Sequence, residues 1–384
     1  MKVKIFSLMD EIILCYPVIY ILFASFSNDG ARKIALLMIV FLSIALVYKK
    51  KKRNCCYFIE IVGITALNGI LYGIHYIIHQ DFYGYILLLL VFLVYSDRAR
   101  KENLIRRISK NKIVFLNFIF TLILTLDVVC GAGLQQSNEW GTSKPLLYGP
   151  YELPHSLAYQ LIIMFMLTSI GYHKYKKNLF LMFMAMYAFF ITWTGVRSAF
   201  LAFMVIAFYE YCSIRNPSNK AIILFGGVIV SFYVIFFTDY LTNNPILQKT
   251  IQALKQTSGI TNGRTDFNSY LTYIYLNKMN ILEKIFGISI EKLRYYMSLR
   301  YTTALHAHND VLNSLIGMGF IGFALYFKLF IGFCKNCKHW ILMFIPIFIL
   351  AFTNGLYMYI AFTPAIPIFI LYFDVLGEAK KGVK

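Results

Sequence analysis

Apolar runs follow one another along this chain with little charge between their ends, and no other feature limits its fold so strongly. They lie near 12–27, 33–48, 57–78, 82–96, 113–133, 155–172, 178–194, 198–213, 221–240, 309–333, 340–355 and 356–373. A membrane-spanning helix needs about 20 such residues. Lipid offers no partner to exposed backbone N–H and C=O groups, so serial apolar runs become helices packed on one another. Only 14% of the 384 residues are charged and 59% are hydrophobic, against about 25% charged in soluble domains. The expectation is an all-α, polytopic integral membrane protein of about 12 transmembrane helices. It forms a single membrane domain over residues 1–384.

The formal charge of +19 could serve nucleic acid or topology. Distribution decides between them. With the N-terminus inside, alternate loops carry 24 of the 37 basic residues, including Lys49–Arg53 and the stretch from Arg98 to Lys112. Short loops on the other side hold only Arg32, Lys33, Lys144 and Arg197. This is the positive-inside pattern, so no nucleic-acid partner is implied. Both termini are expected in the cytoplasm, with the first run as an uncleaved signal-anchor. Basic residues flank the blocks 178–213 and 340–373 at both ends, so each should cross twice, turning at "TGVRS" and "TNGLY". Cys334 and Cys337 have half-zinc spacing, but no second pair completes four ligands. No metal site is expected.

One loop, 241–307, is too long for a simple connector. It should form short amphipathic helices on the extracytoplasmic side. "NPILQKTIQALKQT" is one, and "SIEKLRYYMSLRY" is another. Between them, a helix capped at Thr265 or Asp266 would place Phe267, Tyr270, Leu271, Ile274 and Tyr275 on one face. The next stretch, "HAHNDVLNSLIGMGFIGF", sets polar residues before an apolar run. On a continuous helix, His308, Leu312, Leu315, Gly319 and Gly322 share one stripe. Gly319 and Gly322 would then be a small-residue seam for a neighbouring helix. His308 points inward, whereas His306 lies nearer Asp310. Asp310 either caps the helix or pairs with His306. "GMGFIG" fits a dinucleotide fingerprint, but it lacks the preceding strand that motif requires.

Polar groups at a membrane boundary mark function. Arg197 lies in a tight outer turn, where it either binds an anion or snorkels to lipid phosphate. Arg264 opens a loop helix, whose N-terminus favours anions; the plain alternative is a solvated loop residue. His308 is either a proton acceptor or an interfacial cap. Two guanidiniums and an imidazole on one side fit a phosphate-bearing substrate. Arg294, Tyr295 and Arg300 could line the loop side of the site. Asp127 could orient a histidine or pair with an arginine.

These residues resemble motifs of the O-antigen polymerase and O-antigen ligase superfamily. "TGVRSAFLAF" is similar to its first arginine motif and "GRTDF" to its second. "EKIFGIS" resembles the glycine stretch that follows, and "HAHNDVL", with His306, His308 and Asn309, resembles the histidine–asparagine segment. "ELPHSLAYQL" is a weaker match, with His155 where asparagine is frequent. The resemblance covers roughly 150–330. It implies a metal-independent, cofactor-free, inverting glycosyltransferase of GT-C-like architecture in the bacterial cytoplasmic membrane. Donor and acceptor would be undecaprenyl-diphosphate-linked oligosaccharides, with a chain-length regulator and a flippase as further partners. His308 would be the base, while Arg197 and Arg264 would hold the diphosphate. A polymerase is the first reading and a ligase the second. A transporter of lipid-linked sugars is third, and it is disfavoured because no internal repeat is visible.

Overall fold

The computed structural model describes residues 2–47, 80–95, 104–135, 145–213, 246, 248, 250, 264–301, 309–356 and 359–381. The expected runs at 57–78 and 221–240 lie outside them, as does nearly all of "NPILQKTIQALKQT". The chain begins with α1 (Lys2–Phe26) and α2 (Asn28–Val47), joined at Ser27 and packed as a hairpin. Next come α3 (Gln80–Tyr95) and α4 (Lys110–Val129). The Ser109 side chain caps α4 by accepting from Lys112 N at 3.3 Å. Two antiparallel strands of two residues, β1 (Leu134–Gln135) and β2 (Leu146–Leu147), close the connection that follows.

Helix α5 (Pro154–Tyr175) is the axle of the bundle. Pro154 opens it, a position where the missing N–H removes no hydrogen bond. Nearly every residue from Pro154 to Gly171 is buried, on all faces. A helix buried all round belongs in the middle of a fold. Its polar side chains are tied down. Gln160 accepts from Tyr151 Oη at 2.9 Å and donates to Ala361 O at 2.7 Å. Thr168 Oγ1 lies 2.5 Å from Asn117 Oδ1, which also accepts from Tyr187 Oη at 2.7 Å. Around α5 lie α6 (Asn178–Trp193) and α7 (Arg197–Ser213), the helix pair expected over 178–213.

The loop contributes α8 (Arg264–Tyr273), which runs into a π-helical turn at Ile274–Lys278. Then follow α9 (Ile281–Phe286) and α10 (Ile290–Tyr301). The expected apolar face exists: Leu271 and Ile274 are buried against Ile288, Leu293, Met297 and Ile316, with Phe267, Tyr270 and Tyr275 packed around them. The chain ends with α11 (Asp310–Cys334), α12 (Trp340–Thr353) and α13 (Pro367–Lys381). Ser7–Phe26, Lys110–Val129 and Asp310–Cys334 are long and apolar enough to cross a membrane. Shorter apolar helices accompany them, among them Gly84–Tyr95 and Asn178–Trp193.

Contacts sort to two opposite ends of these helices. At one, Trp193 Nε1 donates to Pro145 O at 3.3 Å, and the segment after α12 meets the starts of α5, α7 and α11. At the other, His173 Nε2 lies 2.6 Å from Glu210 Oε1, whose partner oxygen accepts from Ser169 Oγ and Tyr372 Oη. Arg107 and Lys112 pair there with Glu11, and Lys338 N donates to Asp374. Segments expected on one side of the membrane therefore meet at one end.

Two expectations need correction. The last apolar run was expected as a helix over 356–373, but residues 359–362 are irregular or turn and a short 3-10 turn spans Thr363–Ala365. Helix begins at Pro367 and continues to Lys381. Pro364 and Pro367 cannot donate within a helix, so the helix starts at the second of them. Helix α11 is also not continuous: Gly319 has φ 67° and ψ −178°. The single stripe through His308, Gly319 and Gly322 breaks there. Gly319 does permit close approach, but of the loop and not of a helix. Ile288 N donates to Ile316 O at 3.0 Å and Ser289 N to Gly317 O at 2.9 Å. Gly287, with φ 86°, lies backbone-to-backbone against Gly317–Gly319. A Cβ on Gly319 would strike the Ile285 carbonyl, and one on Gly322 would strike the Met318 Cβ, an atom fixed to its own backbone.

Gly319→Ala should therefore destabilise the protein by about 1–3 kcal/mol from its positive-φ, extended-ψ backbone alone, with backbone overlap adding to it. Gly322→Ala carries no positive-φ cost but must displace Met318, so it too should destabilise, by less than Gly319→Ala. Thermal unfolding of the two variants in detergent compares them directly.

Candidate functional site

The turn between α6 and α7 is short and locally determined. Thr194 Oγ1 donates back to Ile191 O at 2.7 Å, and Gly195 takes φ 66° to reverse the chain. Arg197 is the first residue of α7 and is partly buried. A cation at a helix N-terminus opposes the macrodipole, so the arginine does not stabilise α7. Beside an anion, the same placement adds a guanidinium to first-turn N–H groups that lack intrahelical partners. Arg264 stands at the first residue of α8 in the same way.

The segment after α12 ties this turn to α11. Asn354 Nδ2 donates to Ser198 Oγ, next to Arg197. Two residues on, Leu356 N donates to Asp310 Oδ2 at 2.6 Å. Both acceptors are buried. One three-residue turn thus joins the residue after Arg197 to the residue two beyond His308. The segment then reaches α5 and α1. The Tyr359 ring stacks on His155, with centroids 5.6 Å apart, and meets Tyr159 edge-on at 4.9 Å. Ile360 O accepts from Tyr16 Oη at 2.8 Å.

Asn309 caps α11: its Oδ1 accepts from Val311 N at 3.0 Å and Leu312 N at 3.3 Å. Asp310 is therefore not the cap; it is fully buried in the first turn and holds Leu356. A carboxylate in that turn is favoured by the helix dipole. The other oxygen, Oδ1, has no hydrogen-bond partner among the described residues. His308 and His306 lie outside the described residues, as does the side chain of Arg264.

On the loop, Asp266 does not act as a helix cap either. Its Oδ1 accepts from Arg300 Nη2 at 2.9 Å and its Oδ2 from Tyr301 Oη at 2.6 Å. The Arg300 guanidinium also covers the Tyr270 ring, 4.7 Å from its centroid. Arg300 therefore clasps α8 to α10. Burial and the neighbouring Asp266 carboxylate push the Tyr301 phenol up to about 12, so it remains a donor at neutral pH. Tyr295 is exposed, on the opposite side of α10 from buried Leu293 and Met297, and Arg294 is partly buried beside that buried face. Asp127 is half-buried near the end of α4, with an Oδ2 that has no hydrogen-bond partner among the described residues. Ser198, Asn354 and Tyr359 were not singled out from the sequence. The available signal was "TNGL" followed by "TPAIP": turn residues and two prolines inside an apolar run.

Residues 178–327 match the family model described as O-antigen ligase, consistent with the resemblance to the O-antigen polymerase and ligase superfamily. The match is narrower than the 150–330 read from motifs and leaves out "ELPHSLAYQL" with His155. No curated protein and no solved structure matches the chain. Members of this family are glycosyltransferase-like membrane enzymes that act on lipid-linked glycans.

Asp310→Ala should leave Leu356 N buried without an acceptor, costing about 1–3 kcal/mol. Asp310→Asn, which can still accept, should lose much less. Unfolding midpoints of the purified variants discriminate the two. Arg300→Ala should loosen α8 from α10, seen as faster amide exchange across 264–301 while exchange in α5 is unchanged.

Proposed function

We propose, on the premise that residues 178–327 are an O-antigen ligase-family domain, that this protein is a polysaccharide polymerase. It transfers a growing glycan from undecaprenyl diphosphate onto a lipid-linked repeat unit at the outer face of the bacterial cytoplasmic membrane. The product would be O-antigen, capsule or exopolysaccharide. The observation that carries this reading is that the matched segment contains Arg197, Arg264 and His308 together, with both arginines opening helices.

The chemistry follows from those groups. The acceptor hydroxyl attacks the anomeric carbon of the donor from the face opposite the diphosphate. A new C–O bond forms as the bond to the diphosphate oxygen breaks, inverting the centre. His308 takes the hydroxyl proton, a role typically worth about 10²–10⁴-fold. Arg197 and Arg264 meet the charge that grows on the departing diphosphate, aided by helix N-termini. The acceptor end of the site would draw on Arg294, Tyr295, Arg300, His306, Asn309, His155 and Asp127. Arg300 and Asn309 already hold structural partners, so their contribution would be positioning. Diphosphate is a good leaving group, so neither a carboxylate pair nor a metal is required. The second reading, transfer of finished glycan to lipid A-core or another envelope acceptor, draws on the family description itself, O-antigen ligase.

Purified protein incubated with undecaprenyl-diphosphate-linked repeat units should build a polymer ladder, and His308→Ala should abolish it. Arg197→Ala should lower the rate by about 10²–10³-fold, the usual loss of one charge-stabilising donor. EDTA should leave the rate unchanged. Transfer to a core acceptor with no ladder would replace the polymerase reading with the ligase. Strict dependence on a divalent cation would sink the mechanism.

A further inference from the structure

The loop carries an apolar surface that its own fold leaves uncovered. Ile281 is 75% exposed, Leu282 65% and Leu276 58%, with Ile285 partly exposed beside them. The buried face of the same loop is well packed, on Leu271, Ile274 and Ile316. These are therefore surplus apolar side chains on an ordered element. Soluble surfaces rarely group large aliphatic residues so closely.

Where the patch lies identifies what covers it. The carbonyl of Ile285 and Gly287 press against Gly319 of α11, ten residues into a helix apolar enough to span a membrane. The next residue of that helix, Phe320, is 60% exposed, and Ile321 is exposed too. The patch on α9 thus lies beside exposed apolar residues of a helix long and apolar enough to span. Lysines rim it in the way expected at a headgroup boundary. Lys278 Nζ lies over the Tyr273 ring and Lys284 Nζ over the Tyr275 ring, each 6.0 Å from the centroid.

Backbone polarity is also dealt with internally, as a water-poor setting requires. Asn280 and Glu283 form a reciprocal capping box at the start of α9. Lys284 Nζ donates to Leu276 O at 3.0 Å, meeting a carbonyl at the π-helical turn. Lys292 in turn neutralises Glu283 at 3.2 Å.

We propose that Leu276–Ile285 is an interfacial foot, seated in the headgroup–acyl boundary of the bilayer with Lys278 and Lys284 at the level of acidic lipid phosphates. The loop is then not a lid riding in water. Its α9 end is immersed and its α8–α10 clasp faces out. The Gly287–Gly319 contact passes the height of that foot directly to α11, the helix that follows His308. This inference is independent of the glycan-transfer reading, since it needs only a bilayer.

Leu282→Trp in proteoliposomes of phosphatidylcholine and phosphatidylglycerol tests it, with wild-type emission subtracted and no glycan substrate present. Expected is a blue-shifted emission that lipids brominated high on the acyl chain quench and aqueous acrylamide does not. Thr265→Trp, at the exposed start of α8, should show the reverse. Ile281→Trp provides a second probe should the first variant express poorly. Acrylamide quenching at 281 and 282 equal to that at 265 would overturn the proposal. Shielding from acrylamide without bromolipid quenching would equally overturn it, because protein and not lipid would then cover the patch.

Discussion

The turn Asn354–Leu356 governs how the parts of this molecule relate. It carries one donor to each side: an amide to Ser198 at the start of α7, and a backbone N–H to Asp310 at the start of α11. A buried donor stripped of its acceptor costs about 1–3 kcal/mol, so these bonds fix the two helix starts against each other. The chain beyond then fills the centre of that end through Tyr359, Ala361 and Phe362 against α5. This irregular stretch ties the start of α7, beside Arg197, to the start of α11.

The loop is attached by a different device. Two glycines with positive φ let backbones touch, and a pair of strand-like hydrogen bonds holds 288–289 on 316–317. Side chains add to this contact, with Ile316 and Leu312 of α11 packed into the loop's buried cluster. On the far face, Arg300, Asp266 and Tyr301 hold α8 and α10 together. Its helices α8 to α10 are thus tied to one another and meet α11 at its kink. Anything that moves the loop must act on the helix that carries the candidate base at its approach.

At the opposite end the polar groups have another character. Glu210 is shared by His173, Ser169 and Tyr372, and Glu11 by Arg107 and Lys112. Each charge there has partners on neighbouring helices, which is the usual condition for burying one. At the candidate site Arg197 and Arg264 open helices, where the macrodipole opposes a cation.

Much of this was legible from one dimension. Apolar runs placed α4, α5, α6 and α7 to within a few residues, because lipid and core alike demand closed backbone hydrogen bonding. Helical spacing gave the buried face of the loop, Leu271 and Ile274 included. Motif order gave a resemblance in keeping with the family match over 178–327, since "TGVRSAFLAF", "GRTDF" and "HAHNDVL" keep their order whatever the fold. The sequence could not reveal that Gly319 breaks its helix, that Asp310 reaches Leu356, or that "YIAFTPAIP" is a plug and not a span. Periodicity assumes a regular backbone and reports on one segment at a time. A kink whose backbone fits only because Gly287 approaches from another segment, and a carboxylate whose donor lies 46 residues away, exist only once both partners are packed together.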